Sequence, residues 1–446
     1  MRLPKGAVKP RPAVRQMAPH SPPTSGRSGQ MRLPKGPAKP RPAVQQMAPH
    51  SPPTGGRSRQ MRLPKGAVKP RPAVQQVAPY APPTGGRGSP MRLPKGAVKP
   101  RPAVQQMAPY SPPTGGRIGK LRLDFNENTV GCSPRVIAAI RDGITADGLA
   151  VYPEYSDAKQ AIAAYFRVKP EQFVFTNGTD EAIQVFINTY VDDGQEVLVL
   201  KPAYAMYRFY AEVAGAKIKE VAYPRPGMEF PLQEVLDSIT PDTRAVLLSN
   251  PNNPTGTGIS LLGIERILRR ARKAAVLVDE AYYEFCGVTA LTEIERVPNL
   301  FVCRTFSKVF GMAAMRLGCL FSHQANIAYL HKAQSPYSVN AMAVLAARAA
   351  VEDTAYVQTY VAEVLAAREL LCVGLEKLAI AYVPSSANFV LAQLGRRAIE
   401  VRDALRGQAI LVRDRGYEAP GCVRFTVGTR EQTRRLLAAL EEIWNQ

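Results

Sequence analysis

Residues 1–120 consist of four near-copies of one 30-residue segment, and this repeat strongly limits what the front of the chain can fold into. It holds 26 of the 40 prolines, 23 of the 58 Lys and Arg residues, and no Asp or Glu. Its apolar residues follow neither the helical nor the strand period. Such a segment cannot bury enough apolar surface to offset the entropy lost on ordering. We therefore predict that residues 1–90 are disordered, with a polyproline-II bias.

The net charge of the chain belongs to these repeats. The whole chain carries +22, but residues 121–446 contain 35 basic and 36 acidic residues and are nearly neutral. Evenly spaced cations can bind a nucleic acid or an anionic membrane surface by releasing counterions. We favour a simpler origin, tandem duplication of a short coding segment with potential starts at Met31, Met61 and Met91, and do not expect nucleic-acid binding.

The cysteines and histidines argue against several kinds of site. All six cysteines lie in the neutral part without CxxC spacing, and the four histidines form no cluster. We therefore expect no metal site, no His-based triad and reduced thiols. No apolar run reaches the ~18–20 residues of a membrane span, and the first residues lack the apolar stretch of a secretory signal. The expected location is the cytoplasm, away from membranes.

Short β-rich runs alternate with helical patterns in the neutral part. We predict strands at residues 172–176, 196–200, 217–222, 245–249, 275–279, 301–304 and 317–321, with helices at 180–191 and 260–273. This alternation is typical of an α/β domain around a mostly parallel or mixed sheet. A helix-rich stretch, 339–379, then precedes strands at 381–383, 388–391 and 423–426 and helices at 398–405 and 429–445. These later elements indicate a smaller α+β domain.

The predicted organisation has four parts. Residues 1–90 are the disordered repeats, and residues 91–150 are an N-terminal arm with part of the small domain. Residues 151–336 are the large domain. Residues 337–446 are an interdomain helix and the rest of the small domain. Residues 121–446 are expected to form two domains, because a single core rarely grows past roughly 250–300 residues.

Two loops with ligand-binding character follow predicted strands, at the edge where α/β sheets bind ligands. Residues 177–181 (NGTDE) open a helix, where backbone N–H groups and the helix dipole favour a phosphate. Residues 250–256 (NPNNPTG) form a rigid loop that can present an asparagine side chain. Each loop also has a purely structural interpretation. Residues 177–181 could be a glycine turn with an Asp that caps the helix, and residues 250–256 could be a connecting turn.

A carboxylate and a lysine end two further strands. Asp279 ends an apolar strand, and a buried carboxylate needs a cationic partner, although a helix-capping Asp would give the same pattern. Lys308 follows the hydroxyl residues Thr305 and Ser307 and precedes Arg316 by eight residues. A lysine at a strand end beside small hydroxyls suits a Schiff-base nucleophile. The alternative is a solvated surface lysine.

The order and spacing of these four elements resemble the fold-type I aminotransferases that use pyridoxal phosphate. That fold joins a large α/β/α domain, with a mixed, mostly parallel sheet, to a small α+β domain. Within it, residues 101–446 most resemble the histidinol-phosphate aminotransferase family. The motifs are residues 123–128 (LDFNEN), 133–134 (SP), 152–153 (YP), 177–181, 249–256 (SNPNNPTG), 279–282 (DEAY), 305–308 (TFSK), 413–414 (RD) and 423–429 (VRFTVGT).

The resemblance implies a catalytic set of Lys308, Asp279 and Tyr282. Lys308 would bind the cofactor and transfer the proton, and Asp279 would pair with its ring nitrogen. The implied cofactor-binding residues are Gly178, Thr179, Tyr204, Asn253, Asp279, Tyr282, Thr305, Ser307, Lys308 and Arg316, with Tyr152 reaching the other subunit of a homodimer. The implied substrate-binding residues are Tyr110, Glu127, Asn388, Arg413 and Arg424. For both arginines a surface ion pair is the alternative.

The resemblance implies transamination of the small molecules histidinol phosphate and 2-oxoglutarate, giving imidazole acetol phosphate and glutamate in histidine biosynthesis. Residues 128–134 (NTVGCSP) differ from the NPYGPSP that the family commonly has, so the predicted entrance loop differs in shape and the preferred amino acid stays open. The alternatives are a broad aromatic aminotransferase, a phospho-amino-acid decarboxylase on the same scaffold, and a polyanion-binding protein that acts through the repeats.

Overall fold

The structure, a computed structural model, describes residues 96–108 and 115–446. The repeat copies in residues 1–90 and the candidate substrate residue Tyr110 lie outside these residues, so the predictions about them stay predictions. All six cysteines are free thiols. No helix in the described ranges is long and apolar enough to cross a membrane.

Two sheets are built from strands in the described part of the chain. The strands are β1 (Leu121–Leu123), β2 (Phe173–Thr176), β3 (Glu196–Lys201), β4 (Lys217–Ala222), β5 (Thr243–Ser249), β6 (Ala275–Asp279), β7 (Leu300–Thr305), β8 (Gly318–Ser322), β9 (Ala381–Val383), β10 (Phe389–Gln393), β11 (Ile410–Asp414) and β12 (Cys422–Thr426).

The helices surround and connect these sheets. They are α1 (Pro102–Gln105), α2 (Pro134–Gly143), α3 (Ala146–Ala150), α4 (Ser156–Phe166), α5 (Gly178–Tyr190), α6 (Ala205–Ala214), α7 (Leu232–Ser238), α8 (Leu261–Arg270), α9 (Tyr283–Cys286), α10 (Gln324–Ala333), α11 (Ala341–Glu352), α12 (Thr354–Lys377), α13 (Ala398–Gly407) and α14 (Arg430–Trp444).

The larger sheet has seven strands in the order β2-β8-β7-β6-β5-β3-β4. Strands β3 to β7 are parallel, and β8 runs antiparallel to both β7 and β2. Helices cover both faces. In β3, Val197 and Leu198 belong to opposite apolar clusters, one shared with α5 and the other with α8. Burial on both faces explains why β3, β5 and β6 consist largely of apolar residues, whereas the edge strand β4 is mostly exposed or half-buried.

The smaller sheet has five strands in the order β1-β11-β12-β10-β9. Strand β1 pairs in parallel with β11, with Leu123 opposite Val412, and the other pairings are antiparallel. The chain therefore leaves β1 at residue 124 beside the end of β11. Residues 124–128 enter the space between the two sheets from this point, which matters for the site described below.

The predicted strands are all present, and their ends differ from the prediction by at most two residues. Strands β1 and β11 were not predicted. The helix-rich stretch 339–379 consists of two helices, α11 and α12, which separate at Asp353. The side chain of Asp353 caps α12 by accepting a hydrogen bond from the backbone N–H of Tyr356.

Candidate active site

Polar loops meet at the carboxyl edge of the larger sheet. Strands β5 and β6 are in register, with Ser249 opposite Asp279, and Asp279 lies opposite Cys303 of β7. The loops that follow these strands therefore start side by side, because parallel strands end at one edge. The turn after β2 and the segment 124–128 join them. This edge brings together residues that are up to 300 positions apart in the chain.

Asp279 is a buried carboxylate with neutral partners. Its Oδ2 accepts a hydrogen bond from the Tyr207 hydroxyl at 2.7 Å, and its Oδ1 accepts one from the backbone N–H of Ala281 at 3.1 Å. Burial raises the pKa of Asp279, and the Tyr207 hydrogen bond partly offsets this. No Lys or Arg forms an ion pair with it within the described ranges. The site therefore suits a cationic ligand group at this carboxylate.

Lys308 has a backbone carbonyl as its hydrogen-bond partner. Its Nζ donates to the Phe125 carbonyl at 3.0 Å and lies 5.9 Å from the centre of the Tyr282 ring. Burial and, to a smaller extent, the nearby positive charge of Arg424 lower the pKa of Lys308 to about 8. An amine with this pKa is partly neutral near physiological pH and can act as a nucleophile or a base.

An anion site is built at the start of α5. Gly178 begins this helix with φ +76°, and a Cβ at this position would lie 2.5 Å from Nη2 of Arg316. The guanidinium of Arg316 also contacts Asp180, with 3.2 Å between Nη2 and Oδ2, and Asp180 accepts a 2.7 Å hydrogen bond from the Tyr204 hydroxyl. A helix N-terminus beside a guanidinium group favours a phosphate.

Two arginines lie opposite each other on the smaller sheet. Arg413 of β11 and Arg424 of β12 are register partners, so their side chains project from the same face. Arg424 is 4% exposed, donates to Oδ1 of Asn253 and to the Asp124 carbonyl, and has a buried Nε without a hydrogen-bond partner. Arg413 stacks on the Phe125 ring at 5.2 Å. Neither has a carboxylate partner among the residues that the structure describes.

Comparison with known proteins gives the family. A sequence model described as aminotransferase class I and II matches residues 118–440. The chain belongs to this family. Its site therefore belongs to an aminotransferase, and pyridoxal phosphate is the cofactor with which this family works.

Individual relatives of the aminotransferase carry a more specific name. A histidinol-phosphate aminotransferase of Symbiobacterium thermophilum is 36% identical over 327 residues, which cover 72% of this chain and 90% of the relative. One of Dehalococcoides mccartyi is 36% identical over 331 residues, with the same coverage. The solved histidinol-phosphate aminotransferase of Sinorhizobium meliloti, in complex with pyridoxal-5'-phosphate, has a TM-score of 0.71 and 25% identity, covering 79% of this chain and 99% of that one.

The side chains of this aminotransferase fit pyridoxal phosphate. The anion site at Gly178 and Arg316 suits the phosphate group of the cofactor. Because Gly178 has no Cβ, the guanidinium group of Arg316 can lie close to the N-terminus of α5. The buried carboxylate of Asp279 suits the protonated ring nitrogen, which supplies the cation that the carboxylate otherwise lacks. Lys308 offers a partly neutral amine for the aldehyde.

Most of the site residues predicted from the sequence lie at this edge of the aminotransferase or contact residues that do. Asn388 donates to the Asn126 carbonyl at 3.1 Å, and Thr305 accepts from the backbone N–H of Ser307 at 3.1 Å. Thr179 is the second residue of α5. Tyr152 differs, because its side chain is 74% exposed and stacks on Tyr337 at 4.5 Å.

Three residues of the site were not predicted. Tyr207 lies on α6 three residues after Tyr204, a helical spacing that could have indicated it. Asn126 links Tyr282 to the smaller sheet, donating to the Tyr282 hydroxyl at 3.0 Å. Arg117 binds Glu127 with both carboxylate oxygens engaged. Arg117 belongs to the fourth repeat copy, whose composition gave no signal for a role in the site.

Proposed function

We propose that this aminotransferase transfers the amino group of L-histidinol phosphate to 2-oxoglutarate, giving imidazole acetol phosphate and glutamate in histidine biosynthesis. The observation that carries the proposal is the pair of Arg413 and Arg424, which face the site from adjacent strands without carboxylate partners in the described residues. Both substrates match this pair, because a phosphate monoester and 2-oxoglutarate each carry about two negative charges. The names of the Symbiobacterium and Dehalococcoides relatives support the same substrate.

Arg424 is assigned to the α-carboxylate of glutamate and 2-oxoglutarate, and Arg413 to the phosphate of histidinol phosphate. Burial, followed by the positive charge of Arg415, lowers the pKa of Arg424 to about 10. A bound anion would relieve this repulsion and occupy the unpartnered Nε. A guanidinium group suits the task because it binds carboxylate or phosphate oxygens in pairs. Glu127 and Asn388 are assigned to the substrate side of the site, together with Tyr110.

The cofactor roles follow the chemistry of the side chains. Gly178, Thr179, Ser307 and Arg316 are assigned to the cofactor phosphate, and Asp279 to the ring nitrogen. Tyr204 is assigned to the face of the cofactor ring, and Thr305 to a position beside Lys308. Asn253 and Tyr282 are assigned to the 3'-oxygen of the cofactor. When bound, pyridoxal phosphate supplies a protonated ring that accommodates negative charge from the substrate α-carbon.

Lys308 is assigned to proton transfer. Its pKa of about 8 means that a useful fraction of the amine is neutral at physiological pH and can accept the α-proton. The Phe125 carbonyl accepts one N–H hydrogen bond and so restricts the orientation of the amine. Lys308→Ala is expected to abolish turnover, because no other neutral amine is held at this position.

A homodimer with shared sites is part of the proposal. Tyr152 lies among exposed apolar side chains near α3, including Ile144, Leu149 and Val151, a patch that a second copy of the chain would cover. If Tyr152 serves the partner's site, mixing Lys308→Ala protein with Tyr152→Ala protein should restore turnover, since one site in each mixed dimer is intact. Mixtures that stay as inactive as the separate variants would contradict shared sites.

The deciding experiment follows the visible absorbance of the purified protein loaded with pyridoxal phosphate. Adding histidinol phosphate should remove the band, and 2-oxoglutarate should restore it. A band that responds to phenylalanine or tyrosine but not to histidinol phosphate would replace the proposed substrate with an aromatic amino acid. Histidinol phosphate has no carboxyl group, so release of carbon dioxide from an added phosphorylated α-amino acid would instead identify a decarboxylase.

A pair of variants tests the arginine assignment. Arg413→Gln is expected to lower kcat/KM for histidinol phosphate by about tenfold to a hundredfold, because hydrogen bonds to a charged group are lost. Arg396→Gln is the control, since Arg396 is an exposed arginine outside the site. Equal effects of the two variants would contradict the role of Arg413.

A further inference from the structure

One guanidinium group, that of Arg117, binds two carboxylates of the site at once. Its Nε and Nη2 donate to Asp124 at 3.1 and 2.9 Å, and its Nη1 and Nη2 donate to Glu127 at 3.1 and 2.7 Å. The three side chains are only 16%, 9% and 23% exposed. The same guanidinium lies 4.4 Å from the centre of the Phe125 ring. A single side chain therefore holds three of the four residues 124–127.

Residues 124–126 contact three residues of the proposed active site. The Asp124 carbonyl accepts from Nη2 of Arg424 at 2.6 Å, and the Phe125 carbonyl accepts from Nζ of Lys308 at 3.0 Å. The Asn126 side chain donates to the hydroxyl of Tyr282 at 3.0 Å. Any displacement of this segment would therefore change the surroundings of all three residues together.

The backbone of this segment needs support from its surroundings. Asn126 has φ +56°, a left-handed conformation that asparagine tolerates better than most residues but that still favours glycine. Its backbone N–H donates to Oγ1 of Thr426 at 3.0 Å, and the Thr426 hydroxyl donates to Oδ1 of Asn126 at 3.0 Å. Thr426 thus holds the segment from β12, while Arg117 holds the residues on both sides of Asn126.

Arg117 also balances charge beside Lys308. Burial would raise the pKa of Glu127, but hydrogen bonds and charge from Arg117, with a smaller effect of Arg122, lower it overall. Arg122 is a weaker partner, with 3.6 Å between its Nε and Oε2 of Glu127. Glu127 in turn raises the pKa of Lys308 against the larger effect of burial. Without Arg117, the Glu127 carboxylate near the lysine would lack its main counter-charge, and Asp124 would lose its ion pair.

We propose that Arg117 is a positioning residue of the aminotransferase. It holds residues 124–127 so that the Asp124 and Phe125 carbonyls meet Arg424 and Lys308, and it neutralises the carboxylates of Asp124 and Glu127. The inference rests on the proposed roles of Lys308 and Arg424. It assigns no contact between Arg117 and the substrate.

The position of Arg117 in the sequence provides a matched control. Arg117 ends the Gly-Gly-Arg of the fourth repeat copy, and Arg87 has the same place in the third copy. Only the fourth copy continues directly into β1, which starts at residue 121. Of these two equivalent arginines, the one that binds Asp124 and Glu127 is therefore Arg117, in the copy next to β1. Arg87→Gln makes the same chemical change without removing the ion pairs of Asp124 and Glu127.

The test compares Arg117→Gln, Arg117→Lys and Arg87→Gln in the full chain loaded with pyridoxal phosphate. We measure kcat and KM on the substrate that the unaltered protein uses best, and the Tm. We also measure the midpoint, which is the pH at which the visible absorbance band of the bound cofactor has changed by half. Arg117→Gln is expected to lower kcat by about tenfold to a hundredfold through misplacement of the site. It should also move the midpoint to higher pH, because uncompensated negative charge favours the protonated form.

The other variants separate charge from geometry. Arg117→Lys is expected to keep the midpoint but lose part of kcat, since an ammonium group cannot bind two carboxylates in pairs. The double variant Arg117→Gln/Glu127→Gln should return the midpoint towards that of the unaltered protein, because one uncompensated carboxylate is removed. Arg87→Gln should match the unaltered protein in every measurement.

Several results would overturn the inference. A lower Tm of Arg117→Gln with unchanged kcat, KM and midpoint would mean that Arg117 acts only on stability. If Arg117→Gln does not fold, Arg117→Lys with unchanged kcat would likewise exclude a positioning role. If the unaltered protein turns over phenylalanine and not histidinol phosphate, only the proposed substrate is rejected. The kcat of each variant can then be compared with that of the unaltered protein on phenylalanine, so the role of Arg117 is still tested.

Discussion

The hydroxyl of Tyr207 donates a 2.7 Å hydrogen bond to Oδ2 of Asp279, and both side chains are buried. The second oxygen of Asp279 accepts from the backbone N–H of Ala281. The orientation of this carboxylate is therefore determined by α6 and by the turn after β6. Because the ionised carboxylate is the form that pairs with a ring nitrogen, the Tyr207 hydrogen bond supports that form against the effect of burial.

Tyr207→Phe is expected to lower kcat by about tenfold, since a hydrogen bond to a buried charged group is lost while the ring volume is kept. Steady-state kinetics and the Kd of the cofactor measure this effect. Tyr190→Phe is the matched control, because the buried hydroxyl of Tyr190 has no hydrogen-bond partner in the described part of the chain. A similar loss in both variants would point to a general effect on packing.

Gly178→Ala is expected to weaken cofactor binding. The new Cβ would lie 2.5 Å from Nη2 of Arg316 and would strain a backbone with φ +76°. Gly287→Ala is a control for the strain alone, with φ +73° and no atom within 4 Å of the new Cβ. Each variant should lose about 1–2 kcal/mol of stability from the left-handed conformation. Only Gly178→Ala should raise the Kd for pyridoxal phosphate, as measured by fluorescence titration.

The reactivity of Lys308 is expected to rise with pH around its lowered pKa. The amine becomes neutral as pH rises through about 8, because burial disfavours the charged form. The rate at which the cofactor-free protein takes up pyridoxal phosphate should therefore increase through this pH. Arg424→Gln removes a nearby positive charge and should move the midpoint to higher pH. A midpoint that stays at the same pH would contradict the influence of Arg424.

A buried cluster beside β7 should make stability depend on pH. Arg304 pairs with Glu280 at 2.7 Å and lies 3.8 Å from Glu284, and burial, partly offset by Arg304, raises the pKa of Glu284 to about 7. The folded state then binds more protons than the unfolded state between the ordinary pKa of 4.5 and about 7. The contribution of Glu284 to stability is full below this window and is lost as pH rises through it.

Glu284→Gln should remove this part of the pH dependence and raise stability at pH values above the window. The expected gain is about 1–3 kcal/mol, since one pKa unit corresponds to about 1.4 kcal/mol. Calorimetric unfolding on both sides of the window measures it. Glu352→Gln, at the exposed ion pair with Arg348, is the control and should leave the slope unchanged. Equal slopes for the unaltered protein and Glu284→Gln would show that Glu284 does not titrate in the window.

Removal of residues 1–90, so that the chain starts at Met91, is expected to leave kcat and KM unchanged. The described site uses residues from Arg117 onward. Nucleic-acid binding that is salt-dependent in the full chain and absent after truncation would support the polyanion alternative for the repeats. A loss of turnover after truncation would contradict the expectation that residues 1–90 are dispensable.

The elements predicted well from the sequence are those with a strong local signal. Strand β6 was predicted to the residue, because it is buried along its whole length and is therefore a nearly continuous apolar run. Strands β1 and β11 were missed, since β1 has an exposed arginine at its centre and β11 ends in the polar residues Arg413 and Asp414. Their pairing joins Leu121 to Ile410. A pattern read from neighbouring residues in the sequence cannot predict a pairing between strands that are so far apart in the chain.

The sequence by itself determined the family and the cofactor. It also predicted Lys308 and Asp279 as reactive residues, because they stand after and at the end of strands in motifs of fixed order. Tertiary structure alone decided which neighbours control them. Tyr207 meets Asp279 and Phe125 meets Lys308 only after the sheets assemble. Arg117 gains its role for the same reason: the carboxylates that it binds come within reach once β1 pairs with β11. Motifs record residue types along the chain, whereas burial and charge pairing depend on distances across it.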